Sequence, residues 1–132
     1  MLCCIFNYPS LYRTSIFRKM DGEFDVQFRF GRNLPGAGNA GIARMDCSVF
    51  KRKPKYFSAL SFWGKFPWYC GIQLLPLYRK YDAFLVTGEF NWAYFPFLLL
   101  CRLMGKKVYA WGHGLRKPGS YPRLRRFFYD SL

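Results

Sequence analysis

Two segments in the second half of the chain decide its fold: KYDAFLVTGEF, residues 80–90, and GKKVYAWGHG, residues 105–114. Each contains a short apolar run that leads into a glycine-containing turn, and an apolar stretch long enough for one helix separates them. Strand, helix and strand in this order predict a βαβ unit with two parallel strands. Glu89 and His113 follow the two runs, so we expect both at the carboxyl edge of the sheet, where open α/β sheets bind ligands.

A second unit of the same kind opens the chain. Residues 2–6 form a continuous apolar run that is typical of a buried parallel strand. Ser10 can cap a helix, which Asp21 and Gly22 would end. Apolar and polar residues then alternate over residues 24–30, which predicts another strand. The fold class we expect is α/β, a single domain with a Rossmann-like parallel sheet flanked by helices.

The other segments are less regular. The pattern predicts, in chain order, a glycine-rich loop over 31–46, a short strand over 47–50, a helix over 69–80, a strand over 83–86, a helix over 92–104, a strand over 108–111 and a final helix from Ser120. Residues 36–41 have the spacing G-x-G-x-x-G, but no strand ends directly before them and no helix of sufficient length follows. We therefore interpret them as a loop near the ligand edge and not as a dinucleotide site.

Composition narrows the class of protein. The chain has 132 residues, of which 52% are hydrophobic and 22% aromatic, and its formal net charge is +14. Such an excess of apolar surface usually needs a second domain, a partner or a membrane surface to cover it. The positive charge attracts anionic lipid, phosphorylated substrates or nucleic acid. Nucleic acid is the weakest of these, since no zinc-finger, helix-turn-helix or RNA-recognition pattern occurs and the basic residues are spread along the chain.

Cysteine usage and hydropathy bear on the compartment. The five cysteines have no C-x-x-C spacing, so we expect reduced thiols in a cytosolic protein and neither a zinc site nor a disulfide framework. No signal-peptide pattern opens the chain, and its longest apolar run, residues 90–104, is shorter than the roughly 20 residues that span a bilayer. The final helix carries an apolar stripe beside basic residues. Core packing explains it best, and a helix lying on an anionic membrane is the alternative.

His113 is the only histidine of the chain and stands between Gly112 and Gly114. Imidazole gains or loses a proton near neutral pH, so a role in acid–base chemistry or in binding a hydroxyl or phosphate is favoured over a histidine that only fixes a turn. Glu89, after Gly88, could accept hydrogen bonds from sugar hydroxyls or cap the helix that follows. The sequence leaves both roles of Glu89 open.

Motifs along nearly the whole chain resemble bacterial GT-B glycosyltransferases of the group 1 and family 4-like kind. They are FNYPSLYRTSIF at 6–17, FDVQFRFG at 24–31, YDAFLVTG at 81–88, GKK at 105–107 and WGHG at 111–114. The resemblance implies the amino-terminal, acceptor-binding domain of a retaining enzyme. Such an enzyme moves a sugar from a nucleotide-sugar, its co-substrate, to a glycan or lipid-linked acceptor. The resemblance implies neither a metal nor another cofactor.

The resemblance also implies roles for individual residues. His113 would be the catalytic residue, close to the sugar that is transferred. The substrate-binding residues would be Tyr8, Tyr12, Arg13, Gly88, Glu89, Gly112 and Gly114. The resemblance further implies a cytoplasmic protein that acts in polysaccharide biosynthesis. Such a protein would bind peripherally to the inner face of the cell membrane.

One departure from the family concerns the donor. Relatives have a second domain in which two glutamates seven residues apart hold the nucleotide-sugar, whereas Glu23 and Glu89 are the only glutamates here. We therefore expect the donor-binding domain to be missing, either through truncation or because a partner chain supplies it, and the chain alone to be inactive. The alternative function is a non-catalytic, basic, membrane-associated or scaffolding module.

Overall fold

The structure, a computed structural model, describes residues 1–32, 41–62, 66–87 and 92–112. The strands are β1 (Leu2–Phe6), β2 (Val26–Gly31), β3 (Lys55–Phe57), β4 (Ala59–Phe62), β5 (Phe66–Tyr69), β6 (Ala83–Thr87) and β7 (Lys107–Trp111). In this part of the chain, β3-β2-β1-β6-β7 form a five-stranded sheet in which all neighbours are parallel, and β4 and β5 form an antiparallel hairpin. The predicted α/β, Rossmann-like fold class is confirmed.

Two α-helices lie on opposite faces of the described sheet: α1 (Thr14–Glu23) and α2 (Phe95–Leu103). Successive side chains of a strand point to opposite faces. Accordingly Cys3 of β1 packs in the cluster that contains Cys101 of α2, and Phe6 packs in the cluster that contains Phe17 of α1. Because β1 is covered on both faces, its sequence is continuously apolar rather than alternating.

Phenylalanine rings fill the layer between the sheet and α1. The ring of Phe17 lies 4.8 Å from that of Phe6 and 5.4 Å from that of Phe28, measured between centroids. Phe28 and Phe30 are stacked with their centroids 5.9 Å apart. All four rings are almost completely buried. Burial of one such side chain stabilises a fold by about 1.5–3 kcal/mol, so this layer fixes β1 and β2 firmly beneath α1.

The helix predicted to end before Asp21 and Gly22 instead continues to Glu23. Asp21 does not stop it because its carboxylate is buried against a neighbouring segment and accepts a hydrogen bond from the backbone N–H of Lys51 at 2.8 Å. The helix also begins later than predicted, since Leu11–Arg13 form a 3₁₀ turn after Ser10. Tertiary contact has overridden the local stop signal here.

The short strand predicted over 47–50 is wrong: Cys47–Val49 form a 3₁₀ turn. The side chain of Asp46 accepts hydrogen bonds from the backbone N–H and the hydroxyl of Ser48, at 2.9 and 2.7 Å, and these close the turn. A short polar side chain that bonds to the backbone two residues later favours a turn over an extended chain.

The helix predicted over 69–80 is also wrong. Tyr69 ends β5, Gly71 turns the chain with φ +80°, and only Leu75–Leu77 are helical, as a 3₁₀ turn containing Pro76. Proline removes a donor and disfavours helical backbone in the residue before it, so the apolar pattern of this segment reflects burial under the sheet instead of a long helix.

The elements predicted for the second half of the chain agree more closely with the structure. The strands expected over 83–86 and 108–111 are β6 and β7, each extended by one residue. The helix expected over 92–104 is a 3₁₀ turn, Trp92–Tyr94, followed by α2. Gly105 ends this segment with φ +63°, as predicted. Asn91, most of the 36–41 motif and the final helix from Ser120 lie outside the described residues.

Candidate ligand-binding site

The sheet changes its winding direction at β1. The chain passes from β1 through α1 to β2 on one side, whereas β6 and β7 lie on the other side of β1. Ligands of open α/β sheets bind where the carboxyl ends of two such strands diverge. In this chain that point lies between the ends of β1 and β6, where the Thr87 hydroxyl donates a hydrogen bond to the side-chain oxygen of Asn7 at 3.4 Å.

The loop after β1 is held in place by a segment that follows β2. The N–H of Leu11 donates to the carbonyl of Ala43 at 2.8 Å, and the N–H of Met45 donates to the carbonyl of Pro9 at 2.9 Å. An antiparallel bridge joins Ser10 and Arg44 between these bonds. Two loops from neighbouring strands therefore form one structural unit at the carboxyl edge.

Tyr12 and Arg13, both predicted to bind substrate, lie together in this unit. The guanidinium carbon of Arg13 is 5.1 Å from the ring centroid of Tyr12 and 6.0 Å from that of Phe6. Tyr12 is 63% exposed, so its phenol is available to a ligand. The Phe6 ring in turn lies 5.9 Å from the ring of Trp111, the last residue of β7. Gly112, also predicted to be a site residue, follows directly after it.

Tyr8, the remaining predicted residue in the described part of this edge, is half-buried and belongs to a second group. The guanidinium carbon of Arg44 is 5.6 Å from the ring centroid of Tyr8 and 5.6 Å from that of Tyr56. Arg32 approaches the same Tyr56 ring at 5.7 Å, and its N–H is fixed by a 3.0 Å bond to the carbonyl of Phe57. The structure thus brings three arginines and three tyrosines to one edge of the sheet.

Sequence reasoning missed Arg32, Arg44 and Tyr56. Arg32 comes directly after β2, so the rule that ligands bind at the carboxyl ends of parallel strands could have identified it. Tyr56 lies in β3, a strand of three residues whose pattern is too short to recognise next to the basic residues 51–55. Arg44 lay in a predicted loop, and no local signal shows that this loop folds back onto Tyr8.

The described carboxylates all have partners away from these arginines. Asp21 accepts from Lys51, Glu23 pairs with Lys19, Asp25 with Arg52, Asp46 with Ser48, and Asp82 with the amino group of Met1. No ion pair of Arg13, Arg32 or Arg44 occurs within the described ranges. The edge therefore presents uncompensated positive charge, which favours an anionic ligand.

An open depression of about 370 Å³ is lined by the residues that directly precede Arg13 and Arg44 in the chain. Its lining is mostly apolar and comes from the two loops already joined by the bridge at Arg44: Leu11, Tyr12, Gly41, Ile42 and Ala43. Leu11 and Ile42 are 52% and 37% exposed. The edge thus combines cations with an apolar surface, and can contact a ligand that has both an anionic and a less polar part.

Gly88, Glu89, His113 and Gly114 lie outside the described residues. Their predicted roles remain predictions from the sequence. The strand ends that precede them are nevertheless in register, since Thr87 of β6 pairs with Trp111 of β7. The chain therefore leaves both strands at the same level of the carboxyl edge.

Three of the five cysteines belong to the core. All five are free, and Cys3, Cys4 and Cys101 are buried. Burial raises the pKa of Cys3 to about 11 and the pKa of Cys4 and of Cys101 to about 12. A thiol with so high a pKa is protonated at neutral pH, so these three residues are core residues and not nucleophiles.

No family model, curated protein or solved structure matches this chain. Among the described residues, no three His, Cys, Asp or Glu side chains are grouped as metal ligands would be. Within the same ranges, none of the helices has the length and apolar character needed to cross a bilayer.

Proposed function

We propose that this chain is the acceptor-binding half of a retaining glycosyltransferase, acting on a glycan or lipid-linked acceptor with a nucleotide-sugar as co-substrate. The observation that carries the proposal is the position of Tyr8, Tyr12 and Arg13 in the loop that follows β1, at the carboxyl edge of the sheet, where such sheets bind ligands. Tyrosine rings and hydroxyls can pack against and hydrogen-bond a sugar, and arginine binds phosphate.

In the complete reaction the bond from the sugar to the nucleotide diphosphate breaks, and a bond from the same carbon to an acceptor hydroxyl forms with retained configuration. The proton of that hydroxyl passes to the departing phosphate. His113 would orient the hydroxyl or stabilise charge on that phosphate. A second Rossmann-like domain, from further chain or from a partner, would hold the nucleotide-sugar.

Ligand-observed NMR with sugars, sugar phosphates and nucleotide-sugars tests the binding half of this proposal. We expect saccharides and sugar phosphates to bind. Arg13→Ala should lower the affinity for sugar phosphates by about tenfold, as expected for the loss of one charge-assisted hydrogen bond. Arg79→Ala is the matched control, because Arg79 is exposed and precedes β6, at the opposite edge of the sheet. Equal effects of the two variants, or no saccharide binding at all, would refute the proposal.

Activity assays test the catalytic half. The chain alone should transfer no sugar from any nucleotide-sugar, since the donor side is expected elsewhere. In an enzyme completed by the donor-binding domain, His113→Ala should reduce turnover at least a hundredfold, within the usual contribution of acid–base catalysis, and leave the thermal midpoint unchanged. Transfer by the isolated chain, or full turnover by the variant, would contradict these assignments.

A second candidate function, a membrane-associated module, is favoured by the outer face of α2. Leu99 and Leu103 lie one turn apart on this face and are 49% and 72% exposed, and Met104 is 46% exposed. Exposed Arg102 and Lys107 flank them. An apolar row beside basic residues is complementary to the surface of an anionic bilayer.

Vesicle sedimentation separates this candidate from the first. Phosphatidylglycerol vesicles should retain the protein more than phosphatidylcholine vesicles, and Leu99→Glu should release it. Ile16→Glu is the control, because Ile16 is a half-exposed residue of α1 on the other side of the sheet. Binding that is equal for both lipids, or lost equally in both variants, would exclude the α2 face as the membrane contact.

A further inference from the structure

The arrangement of Arg32 and Arg44 needs an explanation beyond the acceptor site of Tyr12 and Arg13. Both guanidinium groups lie within 6 Å of the centroid of one ring, that of Tyr56, although they come from segments twelve positions apart in the chain. Arg44 is placed there by the bridge to Ser10, and Arg32 by its backbone bond to Phe57. The backbone thus fixes the origin of both side chains.

Stacking on an aromatic ring favours one arginine at such a place, but two cations that share a ring also repel each other. A carboxylate between them would normally offset this repulsion. The five acidic residues of the described ranges are all bound elsewhere. Two guanidinium groups beside one ring, without a counter-ion among the described residues, carry positive charge that a bound anion would stabilise.

We propose that Arg32 and Arg44 form a phosphate-binding site on the ring of Tyr56, which takes a phosphate or diphosphate group of the acceptor. Guanidinium groups bind phosphate oxygens in a bidentate manner, and two of them can hold both phosphates of a diphosphate. The inference deepens the proposed function and rests on it for the identity of the ligand as an acceptor. The phosphate site itself depends only on the geometry at Tyr56.

Tyr56 gives the site an uncharged aromatic ring. Its hydrogen bond with Cys47 and its partial burial raise the pKa of the phenol, which is therefore neutral and carries a proton at physiological pH. Adjacent to Arg44, the depression beside Ile42 and Leu11 can receive the less polar remainder of the ligand.

Isothermal titration calorimetry of the whole chain with inorganic pyrophosphate tests the site. We expect Arg32→Ala and Arg44→Ala each to weaken binding about tenfold or more, and Arg79→Ala, which removes the same charge at the opposite edge, to change it less than twofold. Circular dichroism melting of each variant checks that the fold is intact. Equal weakening by all three variants would show attraction to net charge alone and overturn the proposal.

Vesicles containing phosphatidic acid distinguish a lipid headgroup from a free phosphate compound as the source of the group. Loss of vesicle binding in both Arg32→Ala and Arg44→Ala, with weak pyrophosphate binding throughout, would support the site and assign it to a lipid phosphate. Loss of pyrophosphate binding with unchanged vesicle binding would support it and assign a soluble ligand. No effect of either variant on either probe would refute it.

The same variants separate this inference from the proposed function. If pyrophosphate binding depends on Arg32 and Arg44 but no saccharide binds, the phosphate site stands and the acceptor function fails. If saccharide phosphates bind and depend on Arg13 but not on Arg32 or Arg44, the acceptor function stands and this site fails.

Discussion

Phe6→Ala should be among the most destabilising single substitutions at the candidate site. Phe6 is completely buried at the end of the central strand. Its ring contacts those of Phe17 at 4.8 Å and Trp111 at 5.9 Å, and it supports the guanidinium group of Arg13 at 6.0 Å. Truncation of a buried phenylalanine costs about 3–5 kcal/mol because it removes buried area and leaves a cavity.

Ring contacts add about 0.5–1.5 kcal/mol each in other proteins, so Phe6→Leu, which keeps most of the volume, should cost about 1–2 kcal/mol. Phe24→Ala is the matched control: Phe24 is 57% exposed, and its loss should change the free energy of unfolding by at most about 0.5 kcal/mol.

Urea unfolding followed by circular dichroism measures all three variants. The slope of free energy against urea concentration should stay constant while the midpoint falls, as for a change in stability alone. A loss below about 1 kcal/mol in Phe6→Ala, or an equal loss in Phe24→Ala, would refute the assigned packing of the β1 terminus. Arg13→Ala in the Phe6→Ala background should then cost less than in the native protein, because one of the two rings beside the guanidinium is already gone.

The remaining predictions concern a thiol pair and a glycine pair. Burial raises the pKa of Cys101 to about 12, so Cys101 should resist iodoacetamide between pH 7 and 9, whereas the half-buried Cys70 should react before it. Mass spectrometry of the labelled native protein measures the modification of both residues. Labelling of Cys101 before Cys70 would contradict the burial of Cys101. Gly105→Ala should destabilise the protein by about 1–2 kcal/mol because Gly105 has a left-handed backbone with φ +63°. A Cβ at this position would meet no neighbouring atom, so the cost comes from the backbone conformation alone. Gly22→Ala, inside α1 and equally open, should instead stabilise it by about 0.5 kcal/mol; thermal unfolding compares the pair, and shifts of the same sign would show that backbone conformation does not decide them.

The parts of the fold that the sequence predicts are those whose signal is local. β1, β6 and β7 are short apolar runs bounded by turn residues, and each occurs where expected. The helix predicted over residues 69–80 is wrong because the apolar residues of a segment that packs beneath a sheet can have the same spacing as one side of a helix. Only Gly71 and Pro76 indicate that this segment is not a helix.

The candidate site was predictable only in part for the same reason. Tyr8, Tyr12 and Arg13 follow the first strand directly, so the carboxyl-edge rule applies to them. Arg44 reaches Tyr8 through hydrogen bonds between residues more than thirty positions apart. Such contacts depend on how a long loop folds back, which neither hydrophobic period nor turn chemistry encodes.

The position of β1 has a consequence for biosynthesis. The ribosome makes β1 long before its partner β6, which begins at Ala83, the residue that pairs with Leu2. Until that residue has left the exit tunnel, a nascent chain can pair β1 only with β2 and presents the other backbone edge of β1 unpaired. Unpaired edges invite association with other chains. The central strand should therefore be the segment that nascent-chain chaperones need to protect for longest, and the sheet should close only late in translation.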